Sequence, residues 1–113
     1  DRNDRFFMQE IIREKILLNF EKEIPYSVEV VVEEFKEHQN IINIKAVINV
    51  IRDSQKGIII GKSGRMIKKI GSEARVDAEE FFGKKVFLEL FVKVAKDWRD
   101  KERQLKQFGY DAF

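Results

Sequence analysis

Hydrophobic and polar residues follow each other along this chain with two different periods. Near the N-terminus the apolar residues recur every three or four positions, and from residue 27 they recur at every second position. The same two spacings return after residues 64 and 85. A period of 3.6 residues is typical of an amphipathic helix, whereas a period of two is typical of a strand with one buried face. The pattern therefore predicts separate blocks of helix and strand.

The first block predicts a helix over about residues 4–23, because its apolar residues have helical spacing. Asn3 or Asp4 can cap its start, and Pro25 ends it.

Two strands follow this helix. The first starts at Ser27, the second runs from about Ile41 to Arg52, and residues 36–40 form a polar connection between them. In both strands the even-numbered residues are mainly apolar. We therefore expect an antiparallel hairpin whose even-numbered side chains face the core.

Two helices are predicted next, on either side of a glycine-rich turn. Asp53 or Ser54 can cap a short helix that ends near Ile60, and a longer helix continues from the turn to Gly83. Gly71 lies inside the longer helix, where glycine lowers the helix propensity. This glycine suggests close packing against a neighbouring element.

The last block predicts a third strand and a final helix. Residues 85–94 alternate with their even-numbered side chains inward, and a helix is expected over about residues 97–107. The opposite face of the sheet is more apolar than a free surface usually is, since it carries Val31, Phe35, Val47, Ile51, Phe87 and Phe91. We expect this face to be partly covered, by the final helix, by a partner domain or by a second copy of the chain.

Composition restricts the chain to one small globular domain. Its 113 residues suffice for a single core, 43% of them are hydrophobic, and no apolar run is long enough to span a membrane. The absence of cysteine excludes disulfides and thiolate metal sites and is consistent with a reducing cytoplasm. With a single histidine in addition, we expect neither a metal nor a cofactor.

The positive charge is concentrated in one stretch of the chain. Residues 52–75 carry seven cations and two carboxylates, whereas residues 1–40 carry six cations and ten carboxylates. The same stretch contains Gly61 and Gly64, where the missing Cβ atoms allow another backbone to come close. A helix that starts near Gly64 directs unpaired N–H groups to the same place, so we expect an anionic chain to bind there.

A nucleotide-hydrolysing loop is the enzyme interpretation of this stretch, and the spacing argues against it. A phosphate-binding loop has four residues between its glycines, but Gly57 and Gly61 are separated by three bulky isoleucines. The chain also offers no nucleophile–base pair, and Glu79 and Glu80 have the spacing of a solvated helix face. We therefore predict that the chain is not an enzyme.

The spacing of Gly61 and Gly64 matches instead a GxxG clamp, which grips about four nucleotides of RNA. The predicted backbone clamp is Gly61, Lys62, Ser63 and Gly64. The predicted flanking charge and apolar groove for the bases comprise Lys56, Gly57, Ile58, Ile60, Arg65, Ile67 and Lys68, with Ile48 or Val50 of the neighbouring strand. With the helix–strand–strand prelude, this signature resembles the type II KH family. The resemblance implies an α+β fold of order αββααβ, with a three-stranded mixed sheet covered on one face by helices, plus a C-terminal helix, in one domain over residues 1–113.

Six blocks of the sequence carry a more specific resemblance, namely Glu10–Ile16, Glu23–Ser27, Ile58–Gly64, Lys69–Arg75, Lys85–Leu90 and the pair Gly109-Tyr110. These blocks resemble the C-terminal KH domain of the Era family of bacterial GTPases. In that family the KH domain binds the single-stranded 3′ end of small-subunit ribosomal RNA in ribosome assembly, and an N-terminal GTPase domain supplies the switch. The resemblance implies that single-stranded RNA, the small ribosomal subunit and the GTPase domain are partners, with no DNA specificity. It also implies a cytoplasmic bacterial protein, in a family that allows peripheral membrane association. This chain lacks the GTPase domain, so we expect it neither to hydrolyse nor to sense GTP.

A second interpretation, of a different class, stays open. In it the chain is a protein-interaction domain that uses its apolar sheet face, and the GxxG loop is not used for RNA. The six apolar residues of that face support this interpretation.

Overall fold

The computed structural model describes residues 2–21 and 23–95. Its elements are α1 (Arg2–Asn19), β1 (Glu29–Glu37), β2 (Ile41–Val50), α2 (Asp53–Ile60), α3 (Arg65–Phe82) and β3 (Lys85–Val94), with short 3₁₀ turns at Ile24–Tyr26 and Lys62–Gly64. Their order and type agree with the helix and strand blocks predicted from the periods. The helix predicted over residues 97–107 lies outside the described residues.

Helix α1 ends at Asn19 rather than at the predicted boundary near residue 23. The Asn19 amide Nδ2 donates to the carbonyl of Lys15 at 2.7 Å and to Glu73 Oε1 of α3 at 2.9 Å. An asparagine side chain that bonds the backbone one turn back disfavours further helix. The chain therefore leaves the helix before Pro25, which lies in the first 3₁₀ turn instead.

The three strands form one sheet in the order β1-β2-β3. Strands β1 and β2 pair antiparallel, as predicted for the hairpin, and β2 and β3 pair parallel, with Ile44 opposite Leu88 and Ile48 opposite Val92. The sheet is therefore mixed, as the family resemblance implies. Strand β2 has a neighbour on each side, whereas β1 and β3 are the edges of the sheet in the described part of the chain.

The helices cover one face of the sheet, and the hydrophobic core lies between the two layers. The even-numbered side chains of β2 point into it, as predicted. The buried side chains come from every layer and include Met8, Ile12 and Ile16 of α1, Ile59 of α2, Ile70, Ala74 and Ala78 of α3, and Ile42, Ile44, Ala46, Ile48 and Val50 of β2.

An ion pair joins α1 to α3 at the border of the core. The Lys15 ammonium pairs with Asp77 of α3 and, at 2.8 Å, with Glu14 of its own helix, while its side chain is only 10% exposed. The hydrogen bond to Asp77, and then that to Glu14, raise the pKa of Lys15 above its usual value. A buried ammonium is tolerated here because it is doubly paired.

A β-bulge at Glu33 changes the face on which the end of β1 lies. The register shifts between Val32 and Glu34, which pair with successive residues of β2, so Glu33 is an extra residue. Phe35 therefore faces the helices, and its ring packs on Phe82 of α3 with centroids 5.4 Å apart. The prediction that Phe35 belongs to the outer face is wrong, because one extra residue reverses the direction of every later side chain in a strand.

We expect Phe35→Ala to destabilise the protein more than Phe87→Ala does. Removal of the half-buried Phe35 ring should cost about 2 kcal/mol because it loses contacts with Phe82 and the core. Phe87 is 54% exposed on the outer face, and its removal should cost less than about 1 kcal/mol. Urea unfolding measures both values, and equal costs would contradict the shifted register.

The outer face of the sheet carries the odd-numbered side chains of β2 and β3. Val47 at its centre is buried, whereas Phe87 and Phe91 are 54% and 46% exposed. The Lys45 ammonium lies 5.3 Å from the centre of the Phe91 ring, within the range of a cation–π interaction. The face is thus neither closed nor fully exposed.

Glu79 fastens the start of β3 to the end of α3. Its Oε2 accepts the Val86 N–H at 2.9 Å, and its Oε1 accepts a hydrogen bond from Arg75 Nη1 at 3.1 Å. The Val86 hydrogen bond, followed by the charge of Arg75, lowers the pKa of Glu79 below its usual value. This residue is therefore a structural link between two elements.

A carboxylate with a lowered pKa in the folded state stabilises the fold above its unfolded pKa, and this contribution is lost as the pH falls through the folded pKa. We therefore expect Glu79→Gln to lower the thermal unfolding midpoint at neutral pH and to have a smaller effect in acid well below its usual pKa of 4.5. Glu80→Gln, at an exposed neighbour, is the control and should change little. Circular dichroism at both pH values measures the midpoints, and a pH-independent effect of Glu79→Gln would refute this role.

Candidate nucleic-acid interface

The glycine-rich loop lies inside the connection between two parallel strands. Because β2 and β3 run in the same direction, the chain must return across the sheet, and α2, the loop and α3 make this crossing. The loop at residues 61–64 is the turn between the two helices. Its place is therefore set by two helices that both pack against the sheet.

Helix α2 begins with a side chain that reaches back from inside the helix. Gln55 Oε1 accepts the N–H groups of Ile51 and Arg52, each at 3.0 Å. The residue that precedes the helix is Arg52, so the prediction of a cap at Asp53 or Ser54 is wrong. The sequence signal for the observed arrangement is a glutamine at the third helical position, which forms the returning half of a capping box.

Three of the four loop residues have positive φ angles. Gly61 has φ 75° and ψ 173°, Ser63 has φ 56° and Gly64 has φ 74°. The Gly61 N–H donates to the Gly57 carbonyl at 2.9 Å, and the Gly64 N–H donates to the Gly61 carbonyl at 3.1 Å. Within the described chain, the N–H groups of Lys62 and Ser63 have no acceptor. The loop thus presents two adjacent free donors at an exposed turn.

The glycines of this region differ in how much space lies beside their Cα atoms, where a Cβ would be. A Cβ at Gly61 would lie 2.6 Å from Met66 Cγ, so the space beside Gly61 is needed by the loop itself. A Cβ at Gly64 would lie 3.9 Å from Ile67 Cγ2, and one at Gly57 would meet no atom within 4 Å. The expected room for an external backbone is therefore present at Gly64 and Gly57 and absent at Gly61.

We expect Gly61→Ala to destabilise the protein more than Gly64→Ala. Alanine at Gly64 should cost about 1 kcal/mol, because its positive φ is in the left-handed region and the space is open. Alanine at Gly61 should cost about 3 kcal/mol, because the backbone strain is joined by the clash with Met66. Chemical denaturation measures both costs, and the reverse order would show that the loop has a different shape.

Unpaired positive charge surrounds the loop. Lys62, Arg65 and Lys68 are exposed and Lys56 is half-buried. None of these four takes part in an ion pair with the residues that the structure describes, and the first turn of α3 contains no acidic residue. The N-terminal end of α3 adds a partial positive charge at the same place.

The apolar residues predicted to line a groove fall into two groups. Ile58 is 49% exposed, and Ile60 and Ile67 are half-buried, so all three reach the surface. Ile48 and Val50 are 0% exposed, which corrects their prediction as groove residues. They belong to the central strand, beneath the helices, and support the surface from below.

Strand β3 lies beside the two loop helices, which the sequence pattern did not indicate. It is an edge of the described sheet, and both α2 and α3 pack against it. A Cβ at Gly71 of α3 would lie 3.6 Å from Leu90 Cδ1, which is an ordinary van der Waals contact, so Gly71 faces β3 but no unusually close approach requires a glycine there, contrary to the prediction. Leu90 and Val92 are half-buried. The apolar surface next to the helices is therefore supplied by β3 rather than by β2.

The described residues contain no group of three His, Asp or Glu side chains placed to hold a metal ion. His38 is exposed at the turn between β1 and β2. Within the same residues, every helix is too short or too polar to cross a lipid bilayer.

A mixed three-stranded sheet, covered by helices of which two are joined by a GxxG loop, defines a KH domain, which is a class of RNA-binding domain. The family model described as "KH domain" matches residues 23–99, and the chain belongs to this family. The prediction of a KH domain is confirmed. The match assigns the glycine loop to a non-catalytic binding domain, in agreement with the prediction that the chain is not an enzyme.

Relatives of this chain include proteins named GTPase Era. That of Syntrophus aciditrophicus is 59% identical over 98% of this chain and 37% of its own length, and that of Geotalea uraniireducens is 54% identical over 98% and 38%. The chain thus spans little more than a third of these relatives.

Two solved structures have the same fold. One is Aquifex aeolicus Era bound to GDP·AlF4⁻, and the other is Era in complex with MgGDPNP and nucleotides 1506–1542 of 16S ribosomal RNA. Each has a TM-score of 0.83 and 41% identity, and the match covers 94% of this chain and 36% of that structure.

Proposed function

We propose that this chain is a single-stranded RNA-binding module and that the loop from Gly61 to Gly64 is its backbone clamp. The observation that carries the proposal is the loop itself. Among the described residues, two adjacent N–H groups have no acceptor and the surrounding cations have no ion-pair partner, and the space beside Gly64 is open. An RNA phosphate supplies both the acceptors and the negative charge that these groups lack.

Each part of the site has a separate role in this proposal. The clamp residues bind the sugar–phosphate chain, with Lys62 and Ser63 directed at phosphates. Lys56, Arg65 and Lys68 neutralise charge along the strand. The bases contact Ile60 and Ile67, with β3 beside them, and Ile58 on the opposite flank of α2, and Gly57 leaves the surface of α2 open between the two flanks. Stacking and apolar contact with bases are typical of single-strand recognition.

The proposed RNA is the 3′ end of small-subunit ribosomal RNA. The related Era structure that contains nucleotides 1506–1542 of 16S ribosomal RNA supports this choice. On this basis we assign the chain to ribosome assembly on the small subunit in the bacterial cytoplasm, next to the GTPase domain of a longer parent protein. RNA binding by the KH domain and GTP hydrolysis by its neighbour are then separate activities.

A second candidate function rests on the outer face of the sheet. Phe87 and Phe91 are about half exposed there, beside the buried Val47. Such a face is suited to protein contact. In that case RNA affinity would not depend on the loop.

We expect Lys62→Asp combined with Ser63→Asp to abolish binding to a single-stranded RNA taken from nucleotides 1506–1542 of 16S ribosomal RNA. The two carboxylates would face the phosphates that the loop is proposed to hold. Because both side chains are exposed, thermal unfolding should change little. Fluorescence anisotropy of labelled RNA measures the affinity.

The matched control is Lys36→Asp combined with Gln39→Asp, which makes the same change in charge at exposed positions in the end of β1 and in the turn after it. This control should retain most of the affinity. The logarithm of the parent affinity should fall with the logarithm of salt concentration by roughly 0.7 per phosphate contacted. Unchanged affinity in the loop variant, or affinity independent of salt, would favour the protein-interaction alternative.

A further inference from the structure

A cleft of about 260 Å³ lies between the residues that follow α1 and helix α2. Phe20, Ile24 and Ile58 supply its apolar surface, and Glu21, Glu23 and Arg52 supply charged groups. Ile58 belongs to the proposed RNA surface, so the cleft begins where that surface ends.

Gln55 lines the cleft, and its side-chain amide has a donor that meets no acceptor within residues 2–21 and 23–95. The residue is 6% exposed, and its Oε1 accepts the Ile51 and Arg52 N–H groups. Since both of these groups are donors, they fix which end of the amide is the oxygen. The Nε2 group donates to none of the described residues. A buried amide with unused N–H groups is uncommon and favours a ligand that brings an acceptor.

The lining of the cleft selects for a particular kind of group. Phe20, Ile24 and Ile58 offer apolar contacts to a flat ring, and a ring carbonyl can accept from Gln55 Nε2. The carboxylates of Glu21 and Glu23 repel phosphate but accept hydrogen bonds from an exocyclic amino group. Among the RNA bases, cytosine and guanine carry both a carbonyl and an amino group.

Helix α2 also offers a path from the loop to the cleft. Successive residues are about 100° apart around a helix, so Ile58 and Ile60 lie on opposite flanks of α2. Ile59 is buried between them on the core side, and Gly57 lies between them on the exposed side. With no atom within 4 Å of a Cβ placed on Gly57, a strand can cross the helix there in close contact.

We infer that an RNA strand held by the Gly61–Gly64 loop crosses α2 at Gly57 and places one cytosine or guanine in the cleft beside Gln55. This inference rests on the proposed RNA-binding function and adds a base-specific site outside the clamp. Arg52, at the same cleft, is available for the phosphate that enters with the base.

The test compares the RNA affinity after removal of single bases with the affinity after substitution of Gln55. The probe is the same RNA from nucleotides 1506–1542, made as a series in which one base at a time is absent. We expect one sensitive nucleotide outside the clamped ones. The RNA that lacks the base of this nucleotide should bind the unsubstituted protein about tenfold more weakly than the intact RNA does. At that position, uracil in place of cytosine, or inosine in place of guanine, should reproduce part of the loss.

Gln55→Glu keeps an oxygen for the Ile51 and Arg52 N–H groups and removes the Nε2 donor. This variant should weaken the intact RNA about tenfold and lose nothing further when the critical base is removed, because the two changes disrupt one contact. Independent, multiplicative losses, or an RNA series without a sensitive position outside the clamp, would overturn the inference.

A second variant keeps the test decisive if Gln55→Glu does not fold. Ile58→Ala removes an exposed wall of the cleft and should show the same non-additivity, whereas Val76→Ala, at a similarly exposed site on α3, should leave RNA affinity unchanged. Additive losses with Ile58→Ala would also overturn the inference. If the Lys62→Asp, Ser63→Asp variant loses binding while the cleft variants do not, only the cleft inference fails. If the loop variant binds RNA normally, both the proposed function and the cleft inference fail.

Discussion

The parallel pairing of β2 with β3 is the constraint on which the rest of this structure depends. Parallel neighbours cannot be joined by a tight hairpin, so the chain between them must cross the sheet. Here the crossing is made by two helices, and residues 61–64 are the corner between them. The loop is thus held on both sides by helices that pack on the core, through Ile59 of α2 and Ile70 of α3. A loop with little internal hydrogen bonding acquires a fixed position from its supports.

The two edge strands of the described sheet have different neighbours. At the β1 edge, Gln9 of α1 accepts the Val32 N–H at 3.0 Å, and Arg5 donates to the carbonyls of Val32 and Glu33 at 3.0 and 3.2 Å. The bulge and the first helix therefore occupy this edge, which is a known way of preventing further strand pairing. The β3 edge borders the helices that carry the loop, and the proposed RNA surface lies on that side. Protection of one edge leaves the opposite side of the domain for binding.

The periods of the sequence were sufficient to predict the described helices and strands, because each element has one buried and one exposed face. The glycine spacing located the loop for an equally local reason. The periods could not predict features that depend on tertiary structure or on a single residue. The bulge at Glu33 moved Phe35 to the core face, since alternation carries no signal for an extra residue. Ile48 and Val50 were placed at the groove because strand order and direction are set by pairing rather than by period. The cap is made by Gln55, which reaches back from inside the helix, whereas the usual capping signal is a polar residue just before the helix.

The shape of the loop and its proposed RNA affinity depend on different groups. Its shape depends on backbone terms, namely the positive φ angles of Gly61, Ser63 and Gly64 and the packing of Met66 against Gly61. Its proposed affinity depends on charges and free N–H groups at exposed positions, which contribute little to the core. Ser63 is the one residue other than glycine with positive φ in the described chain, and that conformation costs roughly 1–2 kcal/mol. The fold bears this cost at a corner supported by two helices, so the strain is local and need not weaken the sheet. A site built in this way can vary its exposed side chains, and hence its RNA, while the crossover that positions it stays the same.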